Sequence, residues 1–505
     1  MILMNIPLLF RTVHHLKMTQ VWHQLKYRLV KPAYKPLPLL HNNPVSDQLY
    51  TNPIPRNRCL DGGRFCFLNL ANDFEGWNYV ENGMLWAYNQ NYFDFINQNG
   101  VTKQDACRWI DKFIADLPTN KIGLDSYPIA LRSINWIKFF CRHPECISQP
   151  RLDSLYSQVK LLEKKLEYHL LGNHLLEDAF ALFVAAIYFQ DDLLYRKAWR
   201  LLKGQLTEQI LPDGAHYEQS PMYHCILLDR LLDCLNILLA SSYATTEASD
   251  DLKRAAVMML GHLESIIWED GTIPLLNDAA YEIAPAPNEI FSYARRLDLE
   301  WTPVPMSASG YRKMKSGCLE AIVDVGNIQA SYQSGHSHAD TFTYELRVEG
   351  KPYVVDTGIS TYNKTERRQM ERSTRAHNTV VVAGGDSSEV WGGFRVGRRA
   401  KVSDCQEAYG SSGGNVVEAC HDGYGKLVRR RFSLTDKNFI VEDWYDGEAV
   451  SYVHLAEGAD ENRIKIDGAL CVETERWEYS TEYNQFREGK ELKIAFKNYL
   501  KYTLQ

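Results

Sequence analysis

Near Pro305 the apolar residues change their spacing, and that change constrains the fold of this chain more than any other feature. From about residue 77 to 296 they recur every three or four positions; after about Pro305 they alternate or run together in short blocks. The first period belongs to helices that bury one face, the second to strands that do the same. A chain that changes period once segregates its helices from its sheet. The fold expected is therefore α+β, with an all-helical domain followed by an antiparallel β-sandwich and a deep cleft where the two meet. At 505 residues and 45% hydrophobic, the chain is long enough to bury two cores.

Within the helical part, Leu155, Val159, Leu162, Leu166 and Leu170 keep one face and stop at Gly172, a natural C-terminal glycine that would leave Asn173 and His174 on a loop. Further helices are expected over 177–189, 194–210, 220–240 and 252–268, as successive helical hairpins. Ahead of them, Thr19 could cap a short helix whose stripe is Val21, Trp22, Leu25 and Leu29, and a proline-rich lead-in covers 32–55. Strands are expected over 319–325, 328–333, 341–348, 352–356, 378–382, 425–434 and 439–443, with a hairpin turn at Glu349-Gly350. The resulting divisions are 1–70, 71–305 and 306–505.

The net charge of −7 argues against a general nucleic-acid binder. An acidic ligand would need a locally cationic cleft, and Lys364, Arg367, Arg368, Arg372, Arg375, Arg395, Arg398 and Arg399 form the candidate run. The eleven cysteines include no CxxC pair and read as reduced thiols rather than a disulfide framework. Residues 1–10 are interrupted by Asn5 and Pro7, follow no basic residue and lack a small-x-small site, so they read poorly as a signal peptide. A cytoplasmic chain is expected, with the periplasm as the alternative. No window approaches the ~20 apolar residues of a membrane span.

Chemistry concentrates in the β-part. Gly335-His336-Ser337-His338-Ala339-Asp340 runs on to Asp356 before Thr357-Gly358 and to His377 before Asn378-Thr379. Two imidazoles and a carboxylate, His338, Asp356 and His377, suit zinc or a similar divalent ion. His336 is then free for acid/base work, and in a strand it would share a face with His338. In the helical part, Ser220 is a natural N-cap and Pro221 a natural first-turn residue. Tyr223 thus falls in a helix's first turn, where the dipole should ease ionisation of its phenol. An Asn-His pair, a tyrosine and a free histidine suit β-elimination next to a uronate. Neutral or cationic donors take up the carboxylate charge, a strong base removes the adjacent carbon proton, and an acid protonates the leaving oxygen.

These residues resemble the heparinase II/III family of polysaccharide lyases, related to the oligo-alginate lyases. The resemblance rests on Leu85 to Asn89 with Tyr92 and Phe93, Tyr127 to Arg132, Asn173-His174, Glu218 to His224, Gly335 to Asp340, Asp356, and Arg372 to Val380. It implies an (α/α) toroid followed by an antiparallel β-sandwich. It also implies that Asn173 and His174 neutralise the uronate, that Tyr223 is base and acid, that His336 is catalytic, and that His338, Asp356 and His377 hold a structural metal. Arg132, Glu218 and Arg372 are the candidates for substrate binding. The expected partner is an anionic polysaccharide, with no organic cofactor, no nucleic acid and no membrane span; a homodimer is compatible with the sequence. Two other readings stay open, a toroid hydrolase using two of Glu177, Asp178 and Glu218, and a non-catalytic glycan-binding protein of the same fold.

Overall fold

The computed structural model describes residues 6–39, 50, 52–332, 334–409 and 415–505. Three helices, Ser126–Arg142, Gly172–Tyr188 and Pro221–Leu239, are buried along almost their whole length and pack side by side. They can do so because they are apolar nearly all round. A second set bears one apolar face and lies outside them: Lys103–Asp116, Gln149–Leu162, Asp192–Gln209 and Thr246–Ile266. Inner and outer helices alternate along the chain, which is the order of a toroid of helical hairpins. A three-stranded sheet, Leu60–Asp61, Arg64–Phe67 and Leu70–Asp73, adds Phe65 and Phe67 to the same core.

The expected helix end at Gly172 is incorrect. The preceding helix stops at Leu162, and Gly172 opens the next one. Leu171 and Gly172 both take left-handed φ, at 62° and 60°, so the glycine permits entry into a helix rather than exit from one. Periodicity missed this because Leu166 and Leu171 bury themselves from irregular backbone.

Eleven strands form one curled antiparallel sheet that closes over a second core containing Leu346, Phe432, Val453, Ile494 and Phe496. Its spine is Phe439–Leu455, paired along its length with Gln485–Leu504 and at one end with Lys351–Val354. The Glu349-Gly350 turn forms as expected, with φ of 53° and 74° between the paired Val348 and Lys351. Two expectations fail. Residues 328–332 are not a strand, and Gln333 lies outside the described residues; His336 and His338 sit on turns and extended loop. Conversely, Ile464–Glu482 is a long strand that sequence alone did not reveal, because most of its side chains are exposed and its apolar alternation is weak.

Two N-terminal helices, Ile6–Val13 and Met18–Leu29, lie across both parts. Arg11 donates twice to Glu389 at 2.7 Å, and Trp391 donates to Thr12. Gln20 donates to the Leu170 carbonyl at 3.1 Å, Tyr27 to the Leu166 carbonyl, and His23 packs on Tyr168. The second helix starts at Met18, so Thr19 is inside it rather than its cap. Its expected apolar stripe, Trp22, Leu25 and Leu29, faces solvent rather than the core.

Candidate active site

A cavity of about 630 Å³ opens between the toroid and the sheet, and Asn173, His174, Tyr223 and His336 all stand on its wall. Three segments deliver them. Asn173 and His174 occupy the first turn of Gly172–Tyr188, and Tyr223 the first turn of Pro221–Leu239, with Ser220 Oγ accepting from the Tyr223 N–H at 3.2 Å. Two helix N-termini thus point their positive ends at one place. His336 arrives on a loop from the sheet side. The backbone is forced at each approach: Gln219 beside Ser220 has φ of 59°, and Asn277 beside Asp278 has 56°. Such strain persists only where the surroundings impose it, and it marks functional segments.

Asp278 is the hub of the arrangement. Its carboxylate accepts from His336 Nδ1 at 2.9 Å and from His338 Nε2 at 2.8 Å, while Arg368 donates to both oxygens at 2.5 and 2.7 Å. Burial opposes its charge, but Arg368 and the two histidines outweigh burial and hold it well below the usual carboxylate range. An anion at Nδ1 fixes the proton there, so His336 Nε2 offers a lone pair. Asn173 Nδ2 meets that nitrogen at 3.1 Å and donates its other hydrogen to Glu218 at 2.8 Å. The Asn173 side-chain oxygen is buried without a partner.

Tyr223 stacks on His336 with ring centroids 3.9 Å apart, and the Tyr362 hydroxyl donates to the Tyr223 oxygen at 3.3 Å. The easier ionisation expected from the helix dipole is opposed by the surroundings. Burial is the largest effect and pushes the phenol above its usual range, Asp278 and Glu218 push the same way, and the Tyr362 hydrogen bond only partly opposes them. His174 goes the other way. Burial disfavours its cation, yet Glu167, 3.0 Å from Nδ1, outweighs that and raises its pKa.

The three residues expected to bind substrate stand elsewhere. Arg132 is fully buried in the toroid, donating to Gln158 and to the carbonyls of Asn91 and Gly123. Arg372 is fully buried and donates to the Ser337 carbonyl, which fixes the loop between His336 and His338. Glu218 accepts from the Asn173 backbone and amide and does not line the cavity. All three hold the frame rather than face the cavity. Nor is the arginine-rich run a cleft, since none of its eight cations lines the cavity. Arg367 pairs with Glu371, Arg368 with Asp278 and Arg375 with Glu491, while Arg398 and Arg399 donate to backbone carbonyls.

His338, Asp356 and His377 come together behind this wall. His377 Nδ1 is 2.8 Å from Asp356, and the two imidazoles lie 5.2 Å apart. They do not form a closed ligand set: among the described residues, no three His, Cys, Asp or Glu side chains are set to hold a metal, and Asp356 is engaged by His377. The three residues expected to hold zinc are thus brought together, with Asp356 paired to His377.

Asp278 and Tyr362 belong to the site and were not picked out from the sequence, and Arg368 was picked out only as part of a cationic cleft, not as the partner of Asp278. Asn277-Asp278 is a polar pair inside an apolar run, and Arg368 and Arg372 are four apart, hence on one helix face. Those were the available signals.

The sequence matches the families described as Heparinase II/III N-terminus over residues 150–295 and Heparinase II/III-like, C-terminal over residues 300–498. It is 23% identical over 358 residues to a heparin-sulfate lyase of Bacteroides stercoris, covering 65% of this chain and 50% of that protein. It is 23% identical over 383 residues to a heparin-sulfate lyase of Pedobacter heparinus, covering 69% and 54%. The chain thus spans about half the length of the curated relatives it matches. Among solved structures, a heparinase III aligns with a TM-score of 0.67 at 14% identity, over 95% of this chain and 88% of that one. The heparan sulfate lyase HepC from Pedobacter heparinus aligns at 0.55 and 16% identity, over 96% and 87%. These likenesses establish the architecture, a helical toroid followed by a β-sandwich.

Proposed function

The chain belongs to the heparinase II/III family, and from that premise we propose that it is a polysaccharide lyase cleaving a uronate-containing glycan by β-elimination. The observation that carries this reading is the meeting of Asn173, Tyr223 and His336 on one wall, brought by two helix N-termini and a loop. Elimination across C4–C5 removes the C5 proton, places its electrons in a C4–C5 double bond and expels O4, which takes up a proton. Asn173 and His174 would hold the uronate carboxylate, the carboxylate replacing His336 as acceptor of an Asn173 hydrogen. Tyr223 suits both proton transfers, because the high proton affinity that burial gives it is what a weakly acidic carbon demands. Its resting proton must first leave. His336, stacked on the Tyr223 ring, would take up that proton once the uronate carboxylate replaces it as acceptor of the Asn173 hydrogen, and the imidazolium so formed would help neutralise the carboxylate.

A hydrolase needs two free carboxylates flanking the bond. Glu177, Asp178 and Glu218 do not line the cavity, and of the carboxylates that do, Asp94 and Asp229 pair with Arg56, Glu289 accepts from the Ala286 N–H at its own helix start, and Glu282 accepts from the Asn57 amide. The deciding experiment is a panel of uronate polymers. Elimination gives an unsaturated, ultraviolet-absorbing product, whereas new reducing ends without that absorbance would overturn the lyase reading.

The cavity also bears on which polymer. Arg56 and Arg230 are met by Asp94 and Asp229, Arg58 by Asp61, and Glu282 and Glu289 add negative charge to the lining. Little cationic charge is left for sulfate. An unsulfated uronate chain is expected to be cleaved with kcat/KM at least about tenfold above that of a heavily sulfated one, a difference of ~1.4 kcal/mol. The reverse preference, measured on matched chains, would contradict this.

The raised pKa of His174 has a definite sign. The Glu167–His174 pair contributes its full stability below the unfolded imidazole value of about 6.5 and loses it as pH rises through the higher folded value. KM for an anionic chain is expected to climb over that same interval. In His174→Gln the climb should vanish; if it persists, His174 is not the group that titrates.

A divalent ion at His338, Asp356 and His377 is part of the proposal. Its support is that His338 Nδ1, His377 Nε2 and Asp340 Oδ2 are buried without partners. Burial pushes the nearby Asp340 carboxyl up to about 6, a penalty on its charge that a cation would relieve. The ion would tie the Asp356 and His377 loops to the loop that carries His336. Elemental analysis should find stoichiometric metal, and chelation should lower the melting temperature. A metal-free protein whose melting is unchanged by chelator would remove the ion from the scheme.

A further inference from the structure

The N-terminal helices present a surface that the cavity chemistry does not use. On Met18–Leu29, the side chains of Met18, Trp22, Leu25 and Leu29 are 79%, 65%, 51% and 85% exposed. Their helical spacing makes them one continuous stripe. On Ile6–Val13, Ile6 and Phe10 are likewise 70% and 73% exposed, one turn apart. The stripe is preformed, because the opposite face of Met18–Leu29 is anchored through Gln20 and Tyr27.

Charge gathers around it. The first 46 residues contain six Lys and Arg and no Asp or Glu, in a chain whose net charge is −7. Arg11 and Lys17 are paired with Glu389 and Glu208. Lys26, Arg28, Lys31 and Lys35 are exposed, and among the described residues they have no carboxylate within ion-pair distance.

We propose that this face docks on an anionic lipid surface, with Met18–Leu29 lying in the plane of the headgroups. Trp22 and the leucines would enter the boundary between headgroups and acyl chains, where an amphipathic helix with a tryptophan is favoured. The surrounding cations add attraction to anionic lipid. A second copy fits less well, because a two-fold contact through the stripe would set Lys26 and Arg28 against themselves. The docked helix donates to Leu170, which lines the cavity, so the bilayer would lie one helix away from the cavity wall.

The test is flotation of the full chain with vesicles of phosphatidylcholine alone or mixed with phosphatidylglycerol. The protein is expected to float with the anionic vesicles and to be released by salt. Trp22→Ser/Leu25→Ser and, separately, Lys26→Glu/Lys31→Glu/Lys35→Glu should each lower the bound fraction at least about tenfold without changing the melting temperature. No flotation of the wild type, or flotation that both variants retain, overturns the proposal. So does a dimer in light scattering that Trp22→Ser/Leu25→Ser converts to monomer while vesicles bind neither form, which would assign the stripe to a second copy.

Discussion

Tyr223→Phe is expected to lower turnover by on the order of 10²–10⁴-fold while leaving affinity for the glycan nearly unchanged. The ring stays stacked on His336 at 3.9 Å and keeps its place in the first turn; what is lost is the oxygen proposed to exchange protons with the substrate. The measurement is the rate of unsaturated product formation on whichever polymer is cleaved, with binding followed separately. A variant that keeps more than about a tenth of the rate has lost under ~1.4 kcal/mol of barrier stabilisation, and the base would then be His336 instead.

Asp278→Asn is expected to be the most damaging change to the frame. An amide in that place leaves the Arg368 guanidinium, fully buried, without its counter-ion. Removing one partner of a buried pair costs about 3–5 kcal/mol, which thermal or denaturant unfolding will show. Activity should fall with it, since the anion that holds the proton on His336 Nδ1 is gone. The companion variant separates the two effects. Replacing Asp278 and Arg368 together by apolar residues of similar volume should restore part of the stability, the His336 and His338 N–H groups still lacking their acceptor, and none of the turnover. A single variant that melts like wild type and turns over normally would show that Asp278 neither holds the frame nor sets the tautomer.

The order of helices and strands was legible because each buried face imposes a period, and the longest expected helices formed within a few residues of their expected ends. Asn173, His174, Tyr223 and His336 could be singled out because polar groups at caps and in short His-x-His motifs interrupt those periods. Sequence could not show which side of a segment faces the cavity. Arg132 and Arg372 carry the charge a polyanion would want, yet both spend it on backbone carbonyls. The acidity of Tyr223 was misread for a related reason: a helix terminus acts locally and is visible in sequence, whereas desolvation sums over everything packed around the ring. The exposed strand Ile464–Glu482 shows the converse, pairing through its backbone with almost no apolar signature.

Asn173, Tyr223 and Asp278 come from the helical half and His336 and Tyr362 from the sheet half. The proposed reactive set is complete in neither half, so the proposed activity would be a property of their docking and not of either module. A chain divided near residue 300 should yield two inert pieces even if each folds. A chimera that takes its toroid from one relative and its sandwich from another would inherit a working centre only if the contact between them registers to within a hydrogen bond's tolerance. If the proposed lyase activity holds, selection should therefore act on the seam between the halves as strongly as on the residues that line the cavity.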